Sequence, residues 1–444
     1  MSQFFFNFKE KYFIEKLLII LIPFLFIFSR FFLEISLIYI TFSSLIKIYK
    51  KKEFNYLNNN FFKFFILFYM IILFCYLVRN ENFFDESIFF YLRYGLYVIS
   101  IFYFLSKITN LDQLFFLSVK ISILMLFFDT TFQYLNGQNL LGYTPPQPNR
   151  MASFFDDEAI MGSFIIHFYP FIILQEIEKK RYFQIILFTV LSFYLILLSG
   201  ERSSLGLFII FIIILLIAFN HLFNLKKIIL IFFVFLSSII SVFFFSSEFK
   251  QRYFDQTLFE MKNFTDGINK EFETMDLRDK VLFKNFYIFS GYHNNLFLTS
   301  IEFFKSNKIT GVGPRGFKNL CKKLIKNDKK GNIFIDQSKF DLNKHSCNNH
   351  PHNYYLQILA EMGLIGILFL ISFYIFLIYK YLNSLFLRND TNRNDYFLII
   401  YSIYLLNLWP ITTTGDFFNN WLSIIIYLPF AFYLFKKKNI NNIY

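Results

Sequence analysis

The chain has 444 residues, 56% of them hydrophobic and 17% charged, with a mean hydropathy of +0.45. A soluble domain of that length needs far more polar surface, so the composition indicates an all-α polytopic membrane protein. The formal charge of +13 does not point to nucleic acid, because the basic residues gather at the ends of apolar runs, where they orient helices.

Apolar runs long enough to span a bilayer fall at about 13–29, 31–48, 60–78, 86–106, 113–134, 159–177, 182–199, 203–220, 227–246, 354–379, 396–412 and 419–435, so about twelve transmembrane helices are expected. Lys9 and Lys11 precede the first run and no small-residue cleavage site follows, so it reads as a retained helix. Phe is abundant (71 residues), and an aromatic stripe is therefore read first as lipid-facing surface.

Alternate connections carry Lys50-Lys51-Lys52, Lys107, Lys179-Lys180-Arg181, Lys226-Lys227, Arg388 with Arg393, and Lys436-Lys437-Lys438. The opposite short loops hold Arg30, Arg79, Arg150 and Arg202 among Glu81, Asp85, Asp156, Asp157, Glu158, Glu201 and Asp416. That asymmetry places both termini in the cytoplasm. The chain then divides into residues 1–246 (nine helices, with a short outward loop near 135–158), a large outward loop at 247–353, and residues 354–444 (three helices and a tail).

The large loop carries 18 basic and 12 acidic residues, a net +6, which suits an anionic ligand or a plain solvated surface. Within it, Leu296–Phe304 reads as an interfacial amphipathic helix. Gly311-Val312-Gly313-Pro314-Arg315-Gly316-Phe317 follows, either as a loop or as an anion-binding nest of backbone N–H groups beside Arg315. Cys321 and Cys347 both lie on the outward, oxidising side, so a disulfide is expected, worth about 3–4 kcal/mol.

The loop ends at His350-Pro351-His352-Asn353, where a membrane helix begins. Asn353 can cap that helix, and Asn353, Gln357 and Glu361 recur every four residues as one polar stripe. Gly363 and Gly366 offer a close approach to another helix. His352 is suited to general-base work near neutral pH or to hydrogen-bonding the loop backbone; His350 is its weaker partner. Arg202 can reach a phosphate or anchor the helix end beside Glu201. Arg93, about two turns inside the fourth span, faces a cavity or packs against Glu361 or Asp129. Arg150 closes a Pro-rich loop, and the Asp156-Asp157-Glu158 run reads as an acidic helix start, not a metal site.

These motifs resemble a family. His352-Asn353 followed by Gly363 and Gly366, the arginine segment Ser199-Gly200-Glu201-Arg202-Ser203-Ser204-Leu205, and Gly311-Val312-Gly313 with Phe317 are similar to segments of bacterial O-antigen ligases and the related O-antigen polymerases. Leu205 follows Arg202 by three residues where the ligases tend to have four, which bears on ligase against polymerase. The resemblance implies a glycosyl transfer at the periplasmic face of the bacterial inner membrane, metal-independent and without a cofactor. It implies an undecaprenyl-pyrophosphate-linked glycan as donor and a lipid A-core sugar, or another lipid-linked repeat, as acceptor. His352 would be the base and Arg202 the leading cation, with Arg315, Arg93, Arg150, His350, Asn353 and Gln357 binding pyrophosphate or glycan. The reading from another class is a transporter or flippase, which predicts two related halves and interrupted helices at matching positions; neither is visible in the sequence.

Overall fold

The computed structural model describes residues 11–79, 85–219, 240, 247–255, 291–328, 347–386 and 395–441. Among them there is no β-strand, only an isolated bridge between Gln147 and Arg150. The helices are α1 (Phe13–Phe28), α2 (Arg30–Lys51), α3 (Asn60–Arg79), α4 (Arg93–Lys107), α5 (Leu111–Asn136), α6 (Met161–Glu178), α7 (Tyr182–Ser199), α8 (Arg202–Ala218), α9 (Gly291–Ser306), α10 (Gly316–Asp328), α11 (Tyr354–Phe386), α12 (Asp395–Asn407) and α13 (Asn420–Asn441). Among the described residues six stretches are long and apolar enough to cross a membrane: α2, α3, the Glu86–Lys107 stretch that contains α4, α5, α7 and α11. The expected ninth span lies, apart from Ile240, outside the described residues.

Short polar residues start these helices as elementary capping predicts. Ser29 Oγ accepts the Phe32 N–H (3.3 Å) at α2, and Asn59 Oδ1 accepts the Phe62 N–H (2.9 Å) at α3. Asp85 accepts the Ser87 N–H (3.0 Å) and opens a 3₁₀ segment, Glu86–Leu92, that leads into α4. Helices α4, α6 and α12 are buried on nearly every face and form the centre of the bundle. Around them α2, α3 and the lower part of α11 turn Phe31, Phe42, Phe74, Leu368 and Phe376 outward, as helices facing lipid do.

The feature that organises the end of the bundle carrying the histidines is a break in α11. At Gly363 the backbone turns to φ 60°, ψ −152°, so the helix is two pieces, 354–362 and 364–386. The N–H and C=O groups released there are taken up by the chain that follows α9. Val312 N–H donates to Ala360 C=O (2.9 Å), Leu364 N–H to Lys308 C=O (2.8 Å), and Ile365 N–H to Ile309 C=O (3.3 Å). A Cβ on Gly363 would lie 2.5 Å from the Ile309 carbonyl, and one on Gly311 2.4 Å from the Glu361 carbonyl carbon. The close approach expected at Gly363 is therefore made by the turn at residues 308–312, not by a second helix. A Cβ on Gly366 would meet Met362 and Ile358 of its own helix, so that glycine accommodates the bend.

Gly363→Ala is expected to lower stability by about 1–3 kcal/mol from backbone strain alone, with the Ile309 contact adding to it. Gly206→Ala is the control, because a Cβ there meets nothing within 4 Å. Thermal unfolding of both variants in lipid nanodiscs checks this: a lowered midpoint for the first and an unchanged one for the second.

Candidate active site

The piece of α11 above the break carries the polar stripe. Asn353 caps it through the Leu356 N–H (3.1 Å), while its amide donates to the carbonyls of Pro410 (2.9 Å) and Thr412 (3.2 Å). The chain between α12 and α13 is thereby clamped over the helix start. His352, one residue earlier, has φ +58°, and its carbonyl accepts the Thr414 N–H (2.8 Å). The clamp turns the His352 ring into a cluster with His350 (centroids 4.2 Å apart) and His293 of α9 (5.4 Å). Burial pushes His352 below the usual histidine range, the Thr414 backbone partly opposing it. Burial, with the neighbouring His352 charge, takes His350 down to about 4. Both rings are therefore neutral at pH 7, and His352 is able to accept a proton.

Gln357 is fully buried and spends its amide on protein. It donates to Asp416 Oδ1 (2.6 Å) and to Glu361 Oε2 (3.3 Å), and accepts the Phe417 N–H (2.9 Å). Glu361 in turn accepts the Phe317 N–H (3.2 Å) and a backbone hydrogen bond from Arg315. The glycine-rich turn after α9 is thus a nest whose anion is the protein's own Glu361. Asn353 and Gln357, expected to touch substrate, serve here as the scaffold that fixes His352 and Arg315. The Arg315 guanidinium leaves the nest to donate to the Phe418 carbonyl (2.8 Å) and lies 3.6 Å from Asp85, while its Nε has no hydrogen-bond partner among the described residues. Cys321 of α10 is joined to Cys347 by a disulfide, Cα atoms 5.3 Å apart, which ties the histidine segment to the helix behind that nest.

A second group forms around Gly200, the positive-φ residue that ends α7. The loop 137–160 is pinned to α5 by Asp129 and Gln133, which bind Leu140, Tyr143, Ala152 and Ser153. It delivers Arg150, whose guanidinium donates to the Ala159 carbonyl (3.0 Å) and whose side chain packs at Gly200. Arg252 donates to the Gly200 carbonyl (3.3 Å). Arg202 opens α8 two residues later, and Arg150, Arg202 and Arg252 all act electrostatically on the Tyr253 hydroxyl. Glu201 does not simply neutralise Arg202. Its carboxyl accepts the Gly162 (2.6 Å) and Ser163 (3.1 Å) N–H groups at the start of α6 and the Ser204 hydroxyl (3.0 Å). Burial pushes it up to about 7 against those donors and Arg150.

Arg93 follows the 3₁₀ segment. It donates to the Tyr94 hydroxyl (2.8 Å) and pairs with Glu34 at 3.6 Å, in place of the expected Glu361 or Asp129. The Tyr94 hydroxyl feels both Arg93 and Arg315, so these two arginines belong to the histidine side of the site. Three participants carried no signal in the one-dimensional pattern. His293 is 59 residues from His352 along the chain, Arg252 was one of many loop cations, and Asp416 was one of several loop acids.

Gln357→Leu removes a buried hub and leaves the Asp416 carboxyl and the Phe417 N–H without their partner. An unfolding free energy lower by about 1–3 kcal/mol is expected. A denaturation series against wild type in the same nanodiscs measures it.

The family model described as O-antigen ligase matches residues 187–371, a stretch that runs from α7 through both arginine-bearing turns and across the break in α11. No curated protein matches the chain significantly. Helices apolar enough to cross a membrane, together with this match, make it a multi-pass membrane protein whose residues 187–371 form a domain of the O-antigen ligase family.

Proposed function

We propose that this chain transfers a glycan from undecaprenyl pyrophosphate to an acceptor hydroxyl at the outward face of the bacterial inner membrane, with lipid A-core as the acceptor. The observation that carries the reading is His352: a neutral imidazole with lowered basicity, locked by Thr414 and Asn353 at the rim where a membrane helix begins. His352 takes the proton of the acceptor hydroxyl as that oxygen attacks the anomeric carbon. The bond from that carbon to the pyrophosphate oxygen breaks, the electron pair leaves with the pyrophosphate, and the configuration inverts. Charge growing on the leaving group is met by arginine, first Arg202 with Arg150, then Arg315 and Arg93. The donor's lipid tail stays in the bilayer, and both termini lie on the cytoplasmic side with the lysine clusters.

One observation favours a second reading, a polymerase that extends lipid-linked repeats. The arginines form two groups, one around Tyr253 and one around Tyr94, and a polymerase must hold two lipid pyrophosphates where a ligase holds one. Purified protein in nanodiscs, given the lipid-linked donor with lipid A-core or with extra lipid-linked repeat, separates the two. Transfer to lipid A-core makes it a ligase; a ladder of longer lipid-linked glycans makes it a polymerase; neither product rejects both.

His352→Ala is expected to lower kcat by about 10²–10⁴-fold. Because burial depresses His352, protonation removes the base only on the acid side. Activity should fall as pH drops through a midpoint below the usual histidine value of about 6.5. An unchanged rate in His352→Ala, or an acid limb above that value, removes His352 from this role.

A further inference from the structure

At the opposite end of the bundle from the histidines lies a cavity of about 890 Å³. It opens between the connection from α2 to α3, the lower part of α11, α12 and the end of α13. Its walls are rings: Phe64 stacks on Phe369 (4.7 Å), and Phe430 meets Phe61 (4.4 Å) and Tyr404 (4.2 Å). Its lip is Lys380, Lys437 and Lys438 beside asparagines of the α2–α3 connection, and no acidic residue lines it.

The neighbouring Lys436 is neutralised by Glu178. Among the described residues no carboxylate lies within 4.0 Å of Lys380, Lys437 or Lys438, and Lys438 is held by the Tyr56 hydroxyl (2.6 Å) and over the Tyr56 ring. A second observation points inward. The hydroxyl of Tyr404, a fully buried wall residue, has no hydrogen-bond partner among the described residues.

An aromatic cleft between membrane helices with three unneutralised ammonium groups at its mouth has the chemistry of a site for a double-chain anion. We propose that it holds an anionic phospholipid of the lysine-rich, cytoplasmic leaflet. The phosphate sits among Lys380, Lys437 and Lys438, and one acyl chain lies along Phe64, Phe369 and Phe430. Basic pockets between membrane helices on that side select such head groups. The bound chain closes the gap between α3, α11 and α13, so it acts as a structural lipid. The proposal is independent of the glycosyl-transfer reading.

The test uses the full chain in nanodiscs of equal phosphatidylglycerol and phosphatidylcholine, followed by native mass spectrometry of the released protein. Wild type is expected to keep one phosphatidylglycerol in preference to phosphatidylcholine by about tenfold or more. The triple variant K380Q/K437Q/K438Q should lose that preference. Ser372→Trp, which puts an indole into the cavity, should lose the bound lipid altogether. Unchanged unfolding midpoints of both variants in pure phosphatidylcholine establish that they are folded. Equal retention of the two lipids by wild type, or an undiminished preference in the triple variant, overturns the proposal. So does light scattering that shows a dimer broken by Ser372→Trp, since a second copy would then fill the cleft.

Discussion

Backbone hydrogen bonds that have nowhere else to go hold the histidine end of the bundle together. Where α11 breaks at Gly363 the glycine is buried, and an unmet peptide group there costs several kcal/mol. The turn at residues 308–312 answers with three backbone hydrogen bonds to residues 360–365, across a gap that Gly311 and Gly363 leave open. Every other device at this end hangs from that pairing. It brings the nest of residues 313–317 to Glu361, Glu361 to Gln357, and Gln357 to the Asp416 loop that clamps Asn353 and His352.

The same economy governs charge. The buried carboxyls of Glu201 and Glu361 accept backbone N–H groups at the start of α6 and in the glycine-rich turn, so they serve as mortar between elements. The arginines beside them are bound largely through main-chain carbonyls: Arg150 to Ala159, Arg252 to Gly200, Arg315 to Phe418. A guanidinium held by a neutral carbonyl keeps its positive field, whereas one paired with a carboxylate loses most of it. Arg315 is the mixed case, since Asp85 also stands 3.6 Å from its guanidinium and offsets part of its charge.

Much of the architecture was legible because it follows from local rules. Eleven of the expected spans overlap described helices, six of which lie in stretches long and apolar enough to cross a membrane, since a run of apolar residues without water to bind its backbone has no other regular form. Asn353 was readable as a cap, and the Asn353–Gln357–Glu361 spacing as one helical face. What the stripe is for was not readable. Its partners, residues 410–418 and 315–317, are brought in by tertiary packing, and nothing in a four-residue spacing distinguishes a scaffold from a substrate contact. The break at Gly363 was hidden for a related reason. A glycine in an apolar helix serves close packing or an interruption equally well, and the choice is made by residues 308–312, some fifty positions earlier. His293 and Arg252 were invisible as site residues because the partners that mark them, His352 and Gly200, lie more than fifty residues away along the chain.

The bond between Cys321 and Cys347 constrains the order in which the protein can be made. Both thiols are synthesised in a reducing compartment and can join only where oxidation prevails. Both cysteines must therefore have been made, and have met an oxidant, before the histidine rim is tied to α10. Insertion of the helices and completion of the rim are separate events in time, the first governed by hydropathy and the second by the supply of oxidant.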